Sequence, residues 1–229
     1  DAGELLKNRN FGVTIQDSLD QVAEKIDVLI DFSAPEATLN NIEFCSSHSI
    51  PIVIGTTGFA SSDEELIDVA SKIIPICCSA NYSAGINLCF ELIERATEVL
   101  GKDADVEIIE SHHRGKVDAP SGTALAMGEA IAGGLGRDLS DVGEYGRVGD
   151  VGPRDSDSIG FSVIRAGNVI GEHTVMFAVD GEILEITHKA SDREAFSAGA
   201  LRAARWLIGR APSLYSMRDV IANSDGTPQ

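Results

Sequence analysis

The 229 residues are enough for one large domain or two smaller ones, and 43% hydrophobic with 24% charged residues marks a folded chain, not a disordered one. With 36 acidic against 18 basic residues the formal charge is −18, which disfavours nucleic acid and anionic membranes as partners. No run reaches the roughly 18 apolar residues of a membrane span.

In chain order, Asp27–Phe32 reads as a short apolar strand ending in an acid. A helix from Pro35 to about His48 follows, with Pro at its first turn and Ser33 placed to cap it. Asp31 reads as a capping acid more readily than as a ligand contact. Ile50–Gly55 is the next strand, and Ser61–Lys72 an acidic amphipathic helix capped by Ser61 or Ser62. Ile73–Ala80 is a third strand. Continuous apolar strands separated by helices predict a parallel sheet covered on both faces, an α/β arrangement. Gly55-Thr56-Thr57-Gly58 and Ser79-Ala80-Asn81-Tyr82 lie just past strand ends, where open α/β sheets bind ligands. Ordinary turns account for them equally well from spacing alone.

The pattern changes after a long helix over Ser83–Leu100, which Ser83 can cap. Val106–His112, Ile159–Arg165, Val169–Ala178 and Glu182–Lys189 read as strands. No helix separates the last three, so they predict an antiparallel or mixed sheet. The Gly- and Asp-rich stretch 137–158 reads as a long loop, Arg193–Ile208 as an amphipathic helix, 216–222 as a short helical turn and 223–229 as a frayed tail. The switch near residue 83 and the return near 193 predict two domains, the second inserted into the first: 1–83 with 194–229, and 84–193.

The four cysteines, Cys45, Cys77, Cys78 and Cys89, form no Cys-x-x-Cys pair and read as reduced, small buried residues, with a cytoplasmic compartment as the default. The histidines have no metal-ligand spacing, so no metal site is expected. The stretch 110–131 carries the chemistry. His112, His113, Arg114 and Lys116 fall within five positions of an acidic chain, and Pro120-Ser121-Gly122-Thr123 then opens a helix. Helix N-termini offer free N–H groups and a positive dipole end. Gly122 leaves room for a carboxylate, and Thr123 adds a hydroxyl. Imidazole titrates near neutrality, and a lysine can be a positioned acid. The cluster therefore predicts a site that binds a small anion and moves a proton. Thr187-His188-Lys189 with Arg193 form a second basic cluster, better explained as a solvated face and a helix start.

Glu110-Ser-His-His-Arg-Gly-Lys-Val-Asp-Ala-Pro-Ser-Gly-Thr-Ala124 closely resembles the signature of the dihydrodipicolinate reductase (4-hydroxy-tetrahydrodipicolinate reductase) family. Ile30–Glu36, Val53–Phe59, Ala80–Ser83, Gly85–Asn87, Arg165–Gly167, Gly171–Thr174 and Ile186–Ser191 with Arg193 resemble further segments in the family's order. The resemblance implies a Rossmann-type dinucleotide-binding domain with an inserted α+β mixed-sheet domain for substrate binding and oligomerisation, as a homotetramer. It implies hydride transfer from NADH or NADPH to a small cyclic dicarboxylate in lysine and diaminopimelate biosynthesis. It further implies His112 and Lys116 as the catalytic proton donors or acceptors, and His113, Gly122 and Thr123 as substrate contacts. Gly55, Thr56, Thr57, Ser79, Ala80, Asn81 and Tyr82 would line the nicotinamide side of the cofactor. The family opens with a strand and a Gly-rich phosphate loop that do not occur ahead of these segments; the expectation is that the molecule carries them upstream of Asp1. Ala34 stands where some relatives place a basic side chain, which leaves NADH against NADPH open. A non-catalytic dicarboxylate-binding protein is the alternative, and a nucleotide-free hydro-lyase a weaker one.

Overall fold

The computed structural model describes residues 1–5 and 9–222. In chain order the elements are α1 (Ala2–Leu5), β1 (Leu29–Asp31), α2 (Pro35–His48), β2 (Ile52–Ile54), α3 (Ser61–Ser71), β3 (Pro75–Cys78), α4 (Ala84–Leu100), β4 (Asp105–His112) and α5 (Gly122–Gly134). There follow α6 (Leu139–Val142), β5 (Gly143–Glu144), β6 (Ile159–Arg165), β7 (Gly171–Val179), β8 (Glu182–Ala190), α7 (Glu194–Leu207), β9 (Ser213–Tyr215) and α8 (Met217–Ala222). The chain divides into two compact units, one of residues 1–80 with 200–229 and one of residues 81–199.

The first unit is built on a parallel sheet in the order β1-β2-β3-β9. Ile52, Val53 and Ile54 are all fully buried, as a strand covered on both faces requires. Ile52 and Ile54 join Ile42, Cys45, Ile67, Ile74 and Ile76 in one apolar core. Full burial of each such side chain is worth roughly 1.5–3 kcal/mol. Because all strands run the same way, the segments after β1, β2 and β3 emerge at one edge of the sheet.

Three sequence expectations fail here. Ser33 does not cap α2; Ala34 holds the cap position without a side-chain bond. The Ser33 hydroxyl instead donates to Asp31 Oδ1 at 2.5 Å, so Asp31 is not a helix cap either. Ala60, not Ser61 or Ser62, precedes α3, and Asp63 accepts the Ala60 N–H at 3.0 Å. The strand β9 escaped the sequence reading because three residues carry too little pattern; only pairing with β3 makes it a strand.

The second unit is a five-stranded mixed sheet in the order β5-β6-β4-β7-β8. β4 is parallel to β6 and antiparallel to β7, which is antiparallel to β8. Alternation along β4 buries Val106, Ile108, Glu110 and His112 on one face. The helices α4 and α5 contribute Ile86, Ile93, Met127 and Ile131 to the core on that side, with Phe161 and Phe177. Gly128 lets α5 come close, since a Cβ there would stand 2.6 Å from the Phe161 ring. Ser83 caps α4 by accepting the Ile86 N–H, as expected, and Ser121 caps α5, which starts where expected, by accepting the Ala124 N–H. The stretch 137–158 is not wholly a loop: α6 and β5 lie inside it, and Arg154 anchors its end by bonding Asp105, Glu107 and the Val106 carbonyl. The expected frayed tail at 223–229 lies outside the described residues.

Candidate active site

His112 ends β4, and the turn that follows leads into α5. That connection holds His113, Arg114 and Lys116, and carries Gly122 and Thr123 into the first turn of the helix. His112 is 9% exposed on the inward face of β4, while His113, just past the strand's end, is half-buried. His112 Nδ1 meets Glu110 Oε2 at 2.5 Å. Its ring lies edge-on to His173 of β7, with centroids 5.1 Å apart. The parallel register sets His112 beside Arg165 of β6. Arg165 grips Glu110 through two guanidinium nitrogens, at 2.7 and 2.8 Å. The Ser121 N–H donates to the same carboxylate at 3.0 Å. Burial pushes the Glu110 carboxyl up, but the hydrogen bonds from Arg165, His112 and Ser121 outweigh it and hold the group below the usual carboxylate range.

His173 is 5% exposed, and its Nε2 lies 3.0 Å from the Ser121 hydroxyl; its Nδ1 is buried without a hydrogen-bond partner among the described residues. Burial first, and then the neighbouring His112 charge, lower its pKa to about 4. The charge of Glu110 opposes the shift, and those of His188 and Lys116 add to it. Lys116 Nζ pairs with Asp118 Oδ1 at 2.8 Å, and its side chain is 23% exposed. That hydrogen bond is the main cause of the lowered pKa of Asp118. Gly122 is exposed, and a Cβ on it would meet nothing within 4 Å, so the helix start opens onto free space. Thr123 beside it is half-buried. Arg114 is exposed, and its N–H is tied to the Gly167 carbonyl.

The second basic cluster does not converge. Strand alternation separates His188 from Thr187 and Lys189; Thr187 bonds Thr174, and Lys189 pairs with Glu172 at 3.2 Å. His188 Nε2 lies 3.4 Å from the Ser83 hydroxyl, and Arg193 is exposed.

In the first unit, Gly55, Thr56 and Thr57 follow β2, and Ser79 and Ala80 follow β3 at the same sheet edge. Thr56 is buried and accepts from the Ser33 N–H and the Thr38 hydroxyl. Thr57 and Ala80 are exposed. The Ser79 hydroxyl accepts the Met217 N–H at the start of α8. Asp31, the last residue of β1, is 4% exposed, and its Oδ2 is buried without a hydrogen-bond partner among the described residues. Asn81 and Tyr82 belong to the second unit. Asn81 Oδ1 accepts the Ser83 N–H, and Tyr82 is 1% exposed.

Glu110, Arg165 and His173 were not picked out as site residues. The signal was present in part: Glu110 lies two positions before His112, which in a strand means the same face. Nothing local reports that β6 and β7 deliver Arg165 and His173 to it.

Residues 1–82 match the family model described as dihydrodipicolinate reductase, N-terminus, and residues 85–221 the one described as dihydrodipicolinate reductase, C-terminus. The 4-hydroxy-tetrahydrodipicolinate reductase of Pseudomonas fluorescens strain SBW25 is 56% identical over 221 residues, 96% of this chain and 82% of that protein. The protein of the same name from strain Pf-5 is 54% identical over the same shares. Among solved structures, a dipicolinate-bound dihydrodipicolinate reductase from Paenisporosarcina sp. TG-14 superposes with a TM-score of 0.76 at 22% identity, covering 92% of this chain and 80% of that one. Both halves of the sequence and the fold therefore agree, and the chain belongs to the dihydrodipicolinate reductase family.

Proposed function

We propose that this chain catalyses the NADH- or NADPH-dependent reduction of 4-hydroxy-tetrahydrodipicolinate (dihydrodipicolinate) to tetrahydrodipicolinate, a step of lysine and diaminopimelate biosynthesis. The observation that carries this reading is the junction of β4 and α5. It sets a buried imidazole at His112 and an ammonium at Lys116 ahead of an open helix N-terminus at Gly122 and Thr123. Such a terminus binds a carboxylate through its free N–H groups and its dipole. His113 adds a substrate contact beside it. A dianionic substrate accounts for a basic site in a chain of charge −18.

The bound nicotinamide supplies the hydride. The chain supplies protons and orientation: loss of the 4-hydroxyl as water breaks a C–H bond on the neighbouring ring carbon and puts a proton on the leaving oxygen, and reduction of the ring then takes up one hydride and one proton. His112 and Lys116 are the two groups placed to give them. Residues 1–83 and 194–229 form the dinucleotide domain in this reading, and 84–193 the substrate and oligomerisation domain. Gly55, Thr56 and Thr57, with Ser79 to Tyr82, hold the nicotinamide side. The exposed Thr57 and Ala80, and the partnerless Asp31 Oδ2 at the same strand ends, fit a polar ligand there.

A homotetramer fits the second unit. The face of its sheet opposite α4 and α5 carries Ile109, Ile164, Met176 and Ile183, each half-buried or exposed. The four free cysteines fit the cytoplasm.

The test is oxidation of NADH and NADPH by the purified protein, with substrate generated in situ from pyruvate and aspartate semialdehyde and the intact mass recorded on the same sample. Turnover that requires substrate is the expected result. Saturable dicarboxylate binding without oxidation of either nucleotide would replace the reductase with a binding protein.

A further inference from the structure

Glu110 carries more than its place in the strand requires. It is 1% exposed, and its two oxygens accept four hydrogen bonds. Oε1 takes the Ser121 N–H at 3.0 Å and Arg165 Nη2 at 2.7 Å. Oε2 takes Arg165 Nη1 at 2.8 Å and meets His112 Nδ1 at 2.5 Å. Burying a carboxylate in this way costs several kcal/mol unless it is paired, and here the pairing is complete. A replacement by packed apolar groups is commonly as stable, so stability alone is a weak reason for such a group at this position.

The carboxylate has no hydrogen to give. The hydrogen between it and His112 therefore sits on Nδ1, and the other ring nitrogen, Nε2, is left to exchange protons. The surroundings of Nε2 agree. A Cβ on residue 171 would stand 3.1 Å from Nε2 and 3.4 Å from Cδ2, so the glycine at that position keeps this edge of the ring uncrowded. Arg165 holds the carboxylate in one orientation through two parallel bonds and is itself anchored to the Asp118 carbonyl at 2.7 Å.

We propose that Glu110, clamped by Arg165, is the positioning residue that fixes His112 in its Nδ1–H form, so that the proton of the reaction passes through Nε2. The proposal rests on His112 being the proton-transfer group of the reductase reading above. When the imidazolium gives up its proton, the Nε2–H bond breaks and its electron pair stays on Nε2. The Nδ1–H bond to Glu110 persists throughout, and solvent restores the Nε2 proton in the next cycle.

Two measurements on the full-length chain test this. The first is ¹⁵N spectroscopy of the imidazole rings at pH 8, with His112 assigned by its loss in H112Q. The expected spectrum has His112 protonated at Nδ1 and unprotonated at Nε2; the reverse pattern overturns the proposal. The second is kinetics. Glu110→Gln puts an amide N–H₂ where an acceptor stood and favours the other tautomer. Its kcat should fall on the order of 10²- to 10⁴-fold, the range seen when a catalytic imidazole loses its orienting carboxylate. Nucleotide affinity should stay within about threefold. In the H112Q background the same substitution should cost no more than about twofold, because two groups acting as a unit are not additive. A full second loss in the double variant, or an unchanged His112 tautomer in E110Q with activity falling only as thermal stability falls, would make Glu110 purely structural. If E110Q does not fold, the wild-type ring spectrum decides by itself. An absence of reductase turnover in the wild type sinks the reductase reading, whereas the ring spectrum still reports whether Glu110 sets the tautomer.

Discussion

Replacing Arg165 with Met removes both guanidinium bonds to Glu110 while keeping much of the side chain's length. The carboxylate then keeps only the Ser121 N–H and His112 Nδ1 as partners, and the Asp118 carbonyl also loses its donor. Breaking a buried pair by removing one partner costs about 3–5 kcal/mol, because the remaining charge is left uncompensated. At this chain length that corresponds to a fall in Tm on the order of 10 °C. The pH dependence follows from Glu110. In the wild type its folded pKa is lowered, so its contribution is present above the ordinary carboxylate range and is lost as pH falls through the folded value. Without Arg165 the raising effect of burial gains on the remaining hydrogen bonds, and the carboxyl takes up a proton more readily. The variant's deficit should therefore be largest at pH 8 and shrink at pH 5. Urea unfolding followed by far-UV circular dichroism at both pH values measures it. A deficit below about 1 kcal/mol at pH 8, or one that grows on acidification, would refute the reasoning.

Three further outcomes are expected. Lys116→Ala should lower kcat by roughly 10²-fold or more while leaving nucleotide affinity nearly unchanged; equal losses in a turnover assay and a fluorescence titration would mark Lys116 as structural. His173 takes a proton at about 4 when folded and near its ordinary 6.5 when unfolded, so the unfolded chain binds it first as pH falls. Stability from this residue is whole above pH 6.5 and is lost progressively towards pH 4, by about 3 kcal/mol in all; His173→Gln should flatten that part of an unfolding-against-pH curve. Cys45, whose thiol burial and then the Asp31 charge push up to about 12, should resist a thiol reagent at pH 8 in the folded protein and react at once in denaturant.

The sequence alone determined whatever depends on local pattern. The Pro35 start of α2, the Ser83 cap, the start of α5 within Pro120–Thr123 and the alternation of β4 are decided within a few residues, because helix and strand periods and cap chemistry are short-range. The basic stretch from His112 to Lys116 was likewise legible, since its residue types and spacing stand out against an acidic chain. Two kinds of feature were not. Where several hydrogen-bonding groups compete, as Asp31 and Thr56 do around Ser33, the winner depends on distances that sequence does not carry. Long-range pairing was also out of reach. The three residues of β9 become a strand only by lying on β3, and Glu110 meets Arg165 and Ser121, with His173 bonded to Ser121 beside them, only because β6, β4 and β7 are neighbours in that order. The residues proposed to carry protons can be named from the chain, but the Arg165 clamp on Glu110 is decided by sheet register, which brings together positions 55 residues apart.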